Sequence, residues 1–314
     1  MGVQQAIKEH LKKLLARTFH VGQHFGLDIL PRHFYSEIPV IHRLRKTDHW
    51  REPYSLAGVA GADLDEQLEF VRTTVVPAVT ERLRQFDVFR QACQSNGAIG
   101  YGPIEAQFLY AFVHTHRPRR ITQIGCGIST SVCLTAAADA GYQPEITCIE
   151  PFPNSFLREA AGSNRIRLIS QPVELLSLDF LNELEAGDLF FVDSTHTLGP
   201  AGEVTRIVLE MLPRLGDGVY VHFHDIWLPY DFEPAILADR TFFWHETALL
   251  MAFLAFNSRF RIRASLSQLH HQRIDQLAEV FANYQPMRFD RGIGTSPGDY
   301  PSSIFLEVGS NRSL

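Results

Sequence analysis

Two short stretches concentrate the side chains that could do chemistry. "FFVDSTH" puts Asp193 at a strand end with His196 three residues on, and "VHFHD" puts His222, His224 and Asp225 at the end of the next strand. One crossover helix separates the two, so their ends can be neighbours. Carboxylates and imidazoles meeting there suit one of two tasks. An imidazole or carboxylate can take a proton from a reacting hydroxyl, worth roughly 10²–10⁴ in rate. Alternatively, Asp193 and Asp225 can hold Mg²⁺ or another divalent cation that lowers the hydroxyl pKa and orients it, with an imidazole joining a softer metal. Alternation puts His222 and His224 on one face of the strand and Asp225 on the other. A regular strand cannot aim all three into one pocket. The candidates are therefore His224 and Asp225, where the chain leaves the sheet, and His222 reads as a core histidine. For Asp193 the structural alternative is a helix cap or loop anchor.

A second group lies upstream. "ITQIGCGISTSVC" (121–133) ends a β-branched run at Gly125, adds Gly127 and follows with Ser129 and Thr130. Glycines turn the backbone tightly and let a ligand approach where a Cβ would collide. The N–H groups of the following helix favour an oxygen or carboxylate. Glu150 ends the next strand, 23 positions after Gly127, where a carboxylate can accept both hydroxyls of a ribose. Thr130 stands where a dinucleotide fingerprint needs its third glycine. The loop fits an adenosine ligand without a diphosphate better than it fits NAD, although two glycines alone also make a plain tight turn.

"IWLPYDFEP" and "TFFWHE" follow Asp225 and supply Trp227, Tyr230 and Trp244, whose faces suit sugar rings or planar acceptors. Phe242 and Phe243 read as core. Glu246 opens a helix, where it either favours the dipole or touches substrate. "GIGTSPGDYPSS" (292–303) reads as a flap over the site.

Positioning these residues requires a sheet. From about residue 100, strands "RITQIG", "EITCIEP", "IRLISQP", "DLFFVD" and "GVYVHFHD" alternate with helical stretches, the pattern of a doubly wound parallel α/β fold. "RFRIRASL" and "SSIFLEV" suit an antiparallel edge pair. Residues 1–95 lack that alternation and read as a helical and irregular extension, leaving 96–314 as the catalytic domain. The first helix has Ile7, Leu11, Leu14 and Leu15 at helical spacing and reads as packing on protein or on a second subunit, with contact to a membrane surface the lesser alternative.

The formal net charge of −6 opposes a nucleic-acid surface as the main partner. The longest apolar run, 248–256, is too short to span a bilayer. Four cysteines without a C-x-x-C pair point to a reducing, cytoplasmic setting with no zinc knuckle or disulfide frame.

"IGCGIST" with "CIEP", together with "FFVDSTHT", "VYVHFHDIWLPYDF" and the upstream "FYSEIP", resembles class I S-adenosylmethionine-dependent methyltransferases of the bacterial branch called methyltransferase family 24. The resemblance runs over about 100–308. It implies a seven-stranded Rossmann-like sheet with the last strand antiparallel, and S-adenosylmethionine held at Gly125, Gly127 and Glu150, with Ser129, Thr130 and Asp193 beside them. One departure stands out, because the family's acidic residue two before the first glycine is Gln123 here. The expected activity is O-methylation of a sugar or small hydroxylated metabolite. His224, His196 and Asp225 would serve catalysis, or Asp193 and Asp225 a metal as in catechol-type enzymes, and Trp227, Tyr230, Trp244 and Glu246 would line the acceptor. Two alternatives stay open: an NAD(P)-dependent oxidoreductase on the same sheet, and an inactive partner subunit that kept the fold.

Overall fold

The computed structural model describes residues 3–232, 242–281, 283–288 and 296–309. The chain divides into two compact units, Met1–Lys46 and Thr47–Leu314. In the first, helix α1 (Val3–His24) precedes a single helical turn, α2 (Ile41–Leu44). Ile7, Leu11 and Leu14 of its expected apolar face are exposed. Among the described residues no helix is long and apolar enough to cross a membrane.

The second unit holds a seven-stranded sheet in the order β3-β2-β1-β4-β5-β7-β6. The strands are β1 (Arg120–Ile124), β2 (Glu145–Ile149), β3 (Arg167–Ile169), β4 (Leu189–Val192), β5 (Tyr220–Phe223), β6 (Phe260–Ser265) and β7 (Ile304–Val308). The first five run parallel, and β7 pairs antiparallel with both β5 and β6. This is the architecture the βα alternation predicts, with the expected antiparallel edge pair. All four residues of β4 are buried, as a strand covered on both faces requires. The helical stretch between β4 and β5 is irregular: α9 (Glu203–Arg206) continues as a π turn (207–211) and a 3₁₀ turn (212–214). Its Val204, Ile207, Val208, Met211 and the following Leu215 are buried. All four cysteines are free.

Helices α3 (Leu64–Thr74), α4 (Pro77–Gln85) and α5 (Val88–Asn96) precede α6 (Pro103–His116), which leads into β1. Pro77 takes the first turn of α4, where its missing N–H leaves nothing unpaired. The sequence reading put these helices in an extension ending at 95. Instead Leu68, Phe70, Val71, Val79, Leu83, Val88 and Ala92 share one core with β1, β2 and α6. Gln67, wholly buried, ties α3 to the end of β6: its Oε1 accepts from Ser265 N at 2.9 Å and its Nε2 donates to Gly61 O at 2.9 Å. The compact unit thus begins at Thr47 rather than at 96.

The six larger of those side chains contribute about 1.5–3 kcal/mol each on burial, together comparable with a typical domain stability of about 5–15 kcal/mol. A chain of residues 47–314 is expected to melt cooperatively by circular dichroism, and a chain of residues 97–314 is not. A cooperative melt of the shorter chain would restore the boundary near 96.

Candidate active site

The parallel strands end level. Ile124 pairs with Ile149 and with Val192, and Val192 pairs with Phe223. The next residue of each strand stays in the ladder. Gly125 N donates to Ile149 O (3.2 Å), Asp193 N to Ile124 O (2.9 Å) and His224 N to Val192 O (3.0 Å). Glu150, Gly125, Asp193 and His224 therefore form one row at the carboxyl edge of the sheet, where open α/β folds bind ligands. The row is tight. Gly125 has φ +75°, and a Cβ there would lie 1.8 Å from the Asp193 carbonyl oxygen.

The glycine loop is locked from within. Helix α7 (Ile128–Asp139) starts after Gly127, so neither Ser129 nor Thr130 is its N-cap; both lie buried in the first turn. Thr130 Oγ1 accepts from Gly127 N (3.3 Å) and donates to Gln123 Oε1 (2.6 Å). Gln123 is wholly buried beneath the loop, which places it as an internal brace rather than a ligand contact. Glu150 is half-buried, and its oxygens accept from Cys126 N (3.3 Å) and Phe152 N (3.0 Å). Each carboxylate oxygen has a second lone pair, so Glu150 keeps capacity for ribose hydroxyls. The loop and Glu150 thus fit an adenosine ligand.

Beside the loop the acid–imidazole cluster assembles. His224 Nδ1 donates to Asp193 Oδ1 (3.3 Å). His196 Nε2 lies 3.5 Å from Asp193 Oδ1 and 3.6 Å from Asp225 Oδ2. Convergence of His224 with Asp225 needs the strand alternation to break, and it does: β5 stops at Phe223 and Asp225 adopts φ +55°. His196 (φ +60°) and Tyr101 (φ +59°) are also left-handed. Such conformations cluster at functional sites. His222 lies in the core with Nε2 on the Tyr101 hydroxyl at 3.2 Å, and its Nδ1 has no partner.

Charge decides what these imidazoles can do. Burial alone would lower the His196 pKa, but hydrogen bonds to Asp193 and Glu246 outweigh it and raise it to about 10. For His224 the charges of Asp225 and Asp193 likewise overcome burial and raise it to about 9. Burial would lift the Asp193 carboxyl, but the two imidazoles hold it well below the usual carboxylate range. At neutral pH the protonated form of both imidazoles is thereby favoured, and the free base expected from the sequence is the minor form. The two aspartates expected as a metal pair, Asp193 and Asp225, both face His196 Nε2. Among the described residues no group of three or more His, Cys, Asp or Glu is arranged to hold a metal ion. Asp193 Oδ1 and Asp225 Oδ2 face imidazole nitrogens, and Asp225 Oδ1 accepts from Ser302 Oγ (2.9 Å).

The sequence reading missed Tyr101, Glu105 and Ser302. The Tyr101 ring lies 4.6 Å from that of His224. Glu105 is buried in the first turn of α6; its Oε1 accepts from Ser302 N (2.8 Å) and lies 4.0 Å from His224 Nε2. Its signal was legible: one carboxylate in "PIEAQFLYAFV", otherwise apolar but for Gln107. Ser302, from the segment read as a flap, is buried against the cluster; residues 292–295 of that segment lie outside the described residues.

Four aromatic rings lead outward. Phe242 stacks on Trp244 (5.8 Å), Trp244 on Trp227 (6.3 Å) and Trp227 on Tyr300 (5.5 Å), and Trp244 also lies 4.6 Å from His196. Phe242 is 58% exposed at the outer end, not core as expected. Tyr230 stands apart from the cluster, against His271 (4.8 Å). Glu246 is 1% exposed and bonded to His196, so its position is not that of a substrate contact.

Known proteins are similar to parts of this chain. A family profile described as "Methyltransferase domain" matches residues 122–226, from β1 to the loop after β5. Over that span the chain is similar to methyltransferase domains. An uncharacterised protein of Archaeoglobus fulgidus is 27% identical over 180 residues, 55% of this chain and 80% of its own length. Among solved structures, an S-adenosylhomocysteine-bound methyltransferase of Podospora anserina is 17% identical, with TM-score 0.37, covering 90% of this chain and 99% of its own. A cofactor-bound protein from MTB, Rv0187, is 15% identical, with TM-score 0.43, covering 75% and 98%.

The raised imidazole pKa values make stability pH-dependent. Each contribution is complete below the unfolded value near 6.5 and is lost as pH rises through about 9 to 10. The urea midpoint is expected to fall between pH 7 and 10, and to fall less in a His196→Gln, His224→Gln double variant. Equal losses in both proteins would contradict the assignment.

Proposed function

We propose that this chain transfers the methyl group of S-adenosylmethionine to a hydroxyl of a small molecule, a sugar or another hydroxylated metabolite. The observation that carries the reading is the row at the sheet edge, which sets a loop suited to a nucleoside against a cluster of acids and imidazoles. Bound at that loop, the cofactor would supply a methyl group already activated by the sulfonium charge. Glu150 would accept the ribose hydroxyls, and the N–H groups at the start of α7 would face its carboxylate. Trp227, expected to line the acceptor, is buried and stacked between Trp244 and Tyr300, which leaves the partly exposed Trp244 ring as support for a sugar or planar acceptor.

The chain's remaining task is the acceptor's proton. Asp193 is the most exposed of these acids and imidazoles, its side chain 32% exposed, against 17% for Asp225 and 8% for each histidine. It can hold the acceptor hydroxyl by a hydrogen bond. The proton can then pass to whichever imidazole has lost its own. At neutral pH that fraction is small, so single-turnover methyl transfer is expected to climb with pH toward about 9 to 10. A rate already level from pH 7 would exclude these imidazoles as the proton acceptor.

Titration calorimetry tests the reading directly. S-adenosylhomocysteine is expected to bind and NADH not to bind. Glu150→Ala should weaken binding by roughly 10- to 100-fold, since hydrogen bonds to a charged group contribute about 1.5–3 kcal/mol. Binding of NADH alone would favour the oxidoreductase. A well-folded protein that binds neither would favour the inactive partner subunit.

A further inference from the structure

Glu246 opens α10 (Glu246–Leu254), where a carboxylate could serve only the helix dipole. Its surroundings point elsewhere. Glu246 Oε2 lies 2.7 Å from His196 Nδ1, and Oε1 accepts from Ser194 Oγ at 3.0 Å. The carbonyl of His196 accepts from His245 N (3.0 Å) and Glu246 N (3.3 Å), tying the left-handed loop residue to the start of the helix. The Trp244 ring closes over the imidazole. With Nδ1 taken, only Nε2 is left to face Asp193 and Asp225.

We propose that Glu246 is a positioning residue for methyl transfer: it clamps His196 by Nδ1 and so directs Nε2 at Asp193 and Asp225. The proposal rests on the reading of this cluster as the acceptor site. Glu246 touches neither cleft nor acceptor and acts two groups back, through His196 onto Asp193. The backbone tie fixes where the imidazole is hung but not which way round it sits. A half-turn about the Cβ–Cγ bond would exchange Nδ1 with a carbon and leave no N–H toward Glu246. A carboxylate on one side and aspartates on the other select a single orientation, in which both ring nitrogens meet an anion. The arrangement also explains why a carboxylate buried to this degree is tolerated. Its two oxygens meet a hydroxyl and an imidazole N–H, so neither is left bare.

The test is spectroscopic, on full-length protein labelled with ¹⁵N-histidine. A short N–H bond to a carboxylate is charge-assisted and strong, so the His196 Nδ1–H proton is expected far downfield and slow to exchange. Its loss in His196→Gln assigns it. Glu246→Gln should move it upfield, Glu246→Asp should retain it in part, and Glu246→Leu should abolish it. Affinity for S-adenosylhomocysteine should change by less than about twofold in all three. A resonance unmoved in Glu246→Gln and Glu246→Leu would overturn the clamp. Absence of S-adenosylhomocysteine binding in the wild type, with the resonance intact, would strike the methyl-transfer reading and leave the clamp standing.

Discussion

Level strand ends are the constraint from which the site follows. Because Ile124, Ile149, Val192 and Phe223 stand in register, the residues after them meet in a line, and no side chain has to reach far. A slip of one residue in any pair would turn the strand's side chains to the opposite face. The apolar faces of β4 and β5, buried against helices on both sides, forbid that slip. The packing that stabilises the sheet is therefore also what places Glu150, Gly125, Asp193 and His224 beside one another. The contact of Gly125 with the Asp193 carbonyl shows how closely the two halves are held, since even one methyl group would part them.

Electrostatics then shapes what the line can do. Glu105, Asp193, Asp225 and Glu246 surround two imidazoles, and removing one partner of such a buried pair is strongly destabilising. The cluster keeps its charges because they are matched, hydrogen-bonded and arranged by backbone that leaves regular geometry at three points, Tyr101, His196 and Asp225. Left-handed backbone at non-glycine residues costs on the order of 1–3 kcal/mol each. Surrounding structure meets that penalty locally. Asp225 is held by Ser302, His196 by two N–H groups at the start of α10, and Tyr101 by its hydroxyl on His222.

The fold was legible because its signal is periodic. Short apolar strands alternating with helical stretches allow few other architectures, and the edge pair followed from two late strands. The site was legible only in part. Strand ends announce themselves, so Asp193, His196, His224 and Asp225 could be named, and the alternation argument correctly required the chain to leave the sheet at Asp225. Partners from distant segments do not announce themselves. Ser302 reaches the cluster from a stretch that reads as a loop, and Tyr101 from a helix approach dominated by glycine and proline. The state of the imidazoles was illegible for the same reason, because it depends on how many carboxylates close around them. The boundary near 95 failed because helices α3 to α5 carry no βα alternation, yet their apolar faces belong to the sheet's own core.

Gln123 shows how a departure from a motif should be weighed. Read alone, an amide where the family resemblance leads one to expect an acid suggests a weakened hold on a cationic ligand. In the folded chain the side chain points into the protein, where Thr130 donates to its oxygen and Thr130 in turn receives the Gly127 N–H. A buried carboxylate would meet the same hydroxyl but would have to remain charged beneath an apolar helix, with the thiols of Cys133 and Cys148 as its other neighbours. An amide makes the brace without that desolvation. The substitution therefore bears on the rigidity of the loop rather than on its charge, and it gives no support to the idea that the site has lapsed.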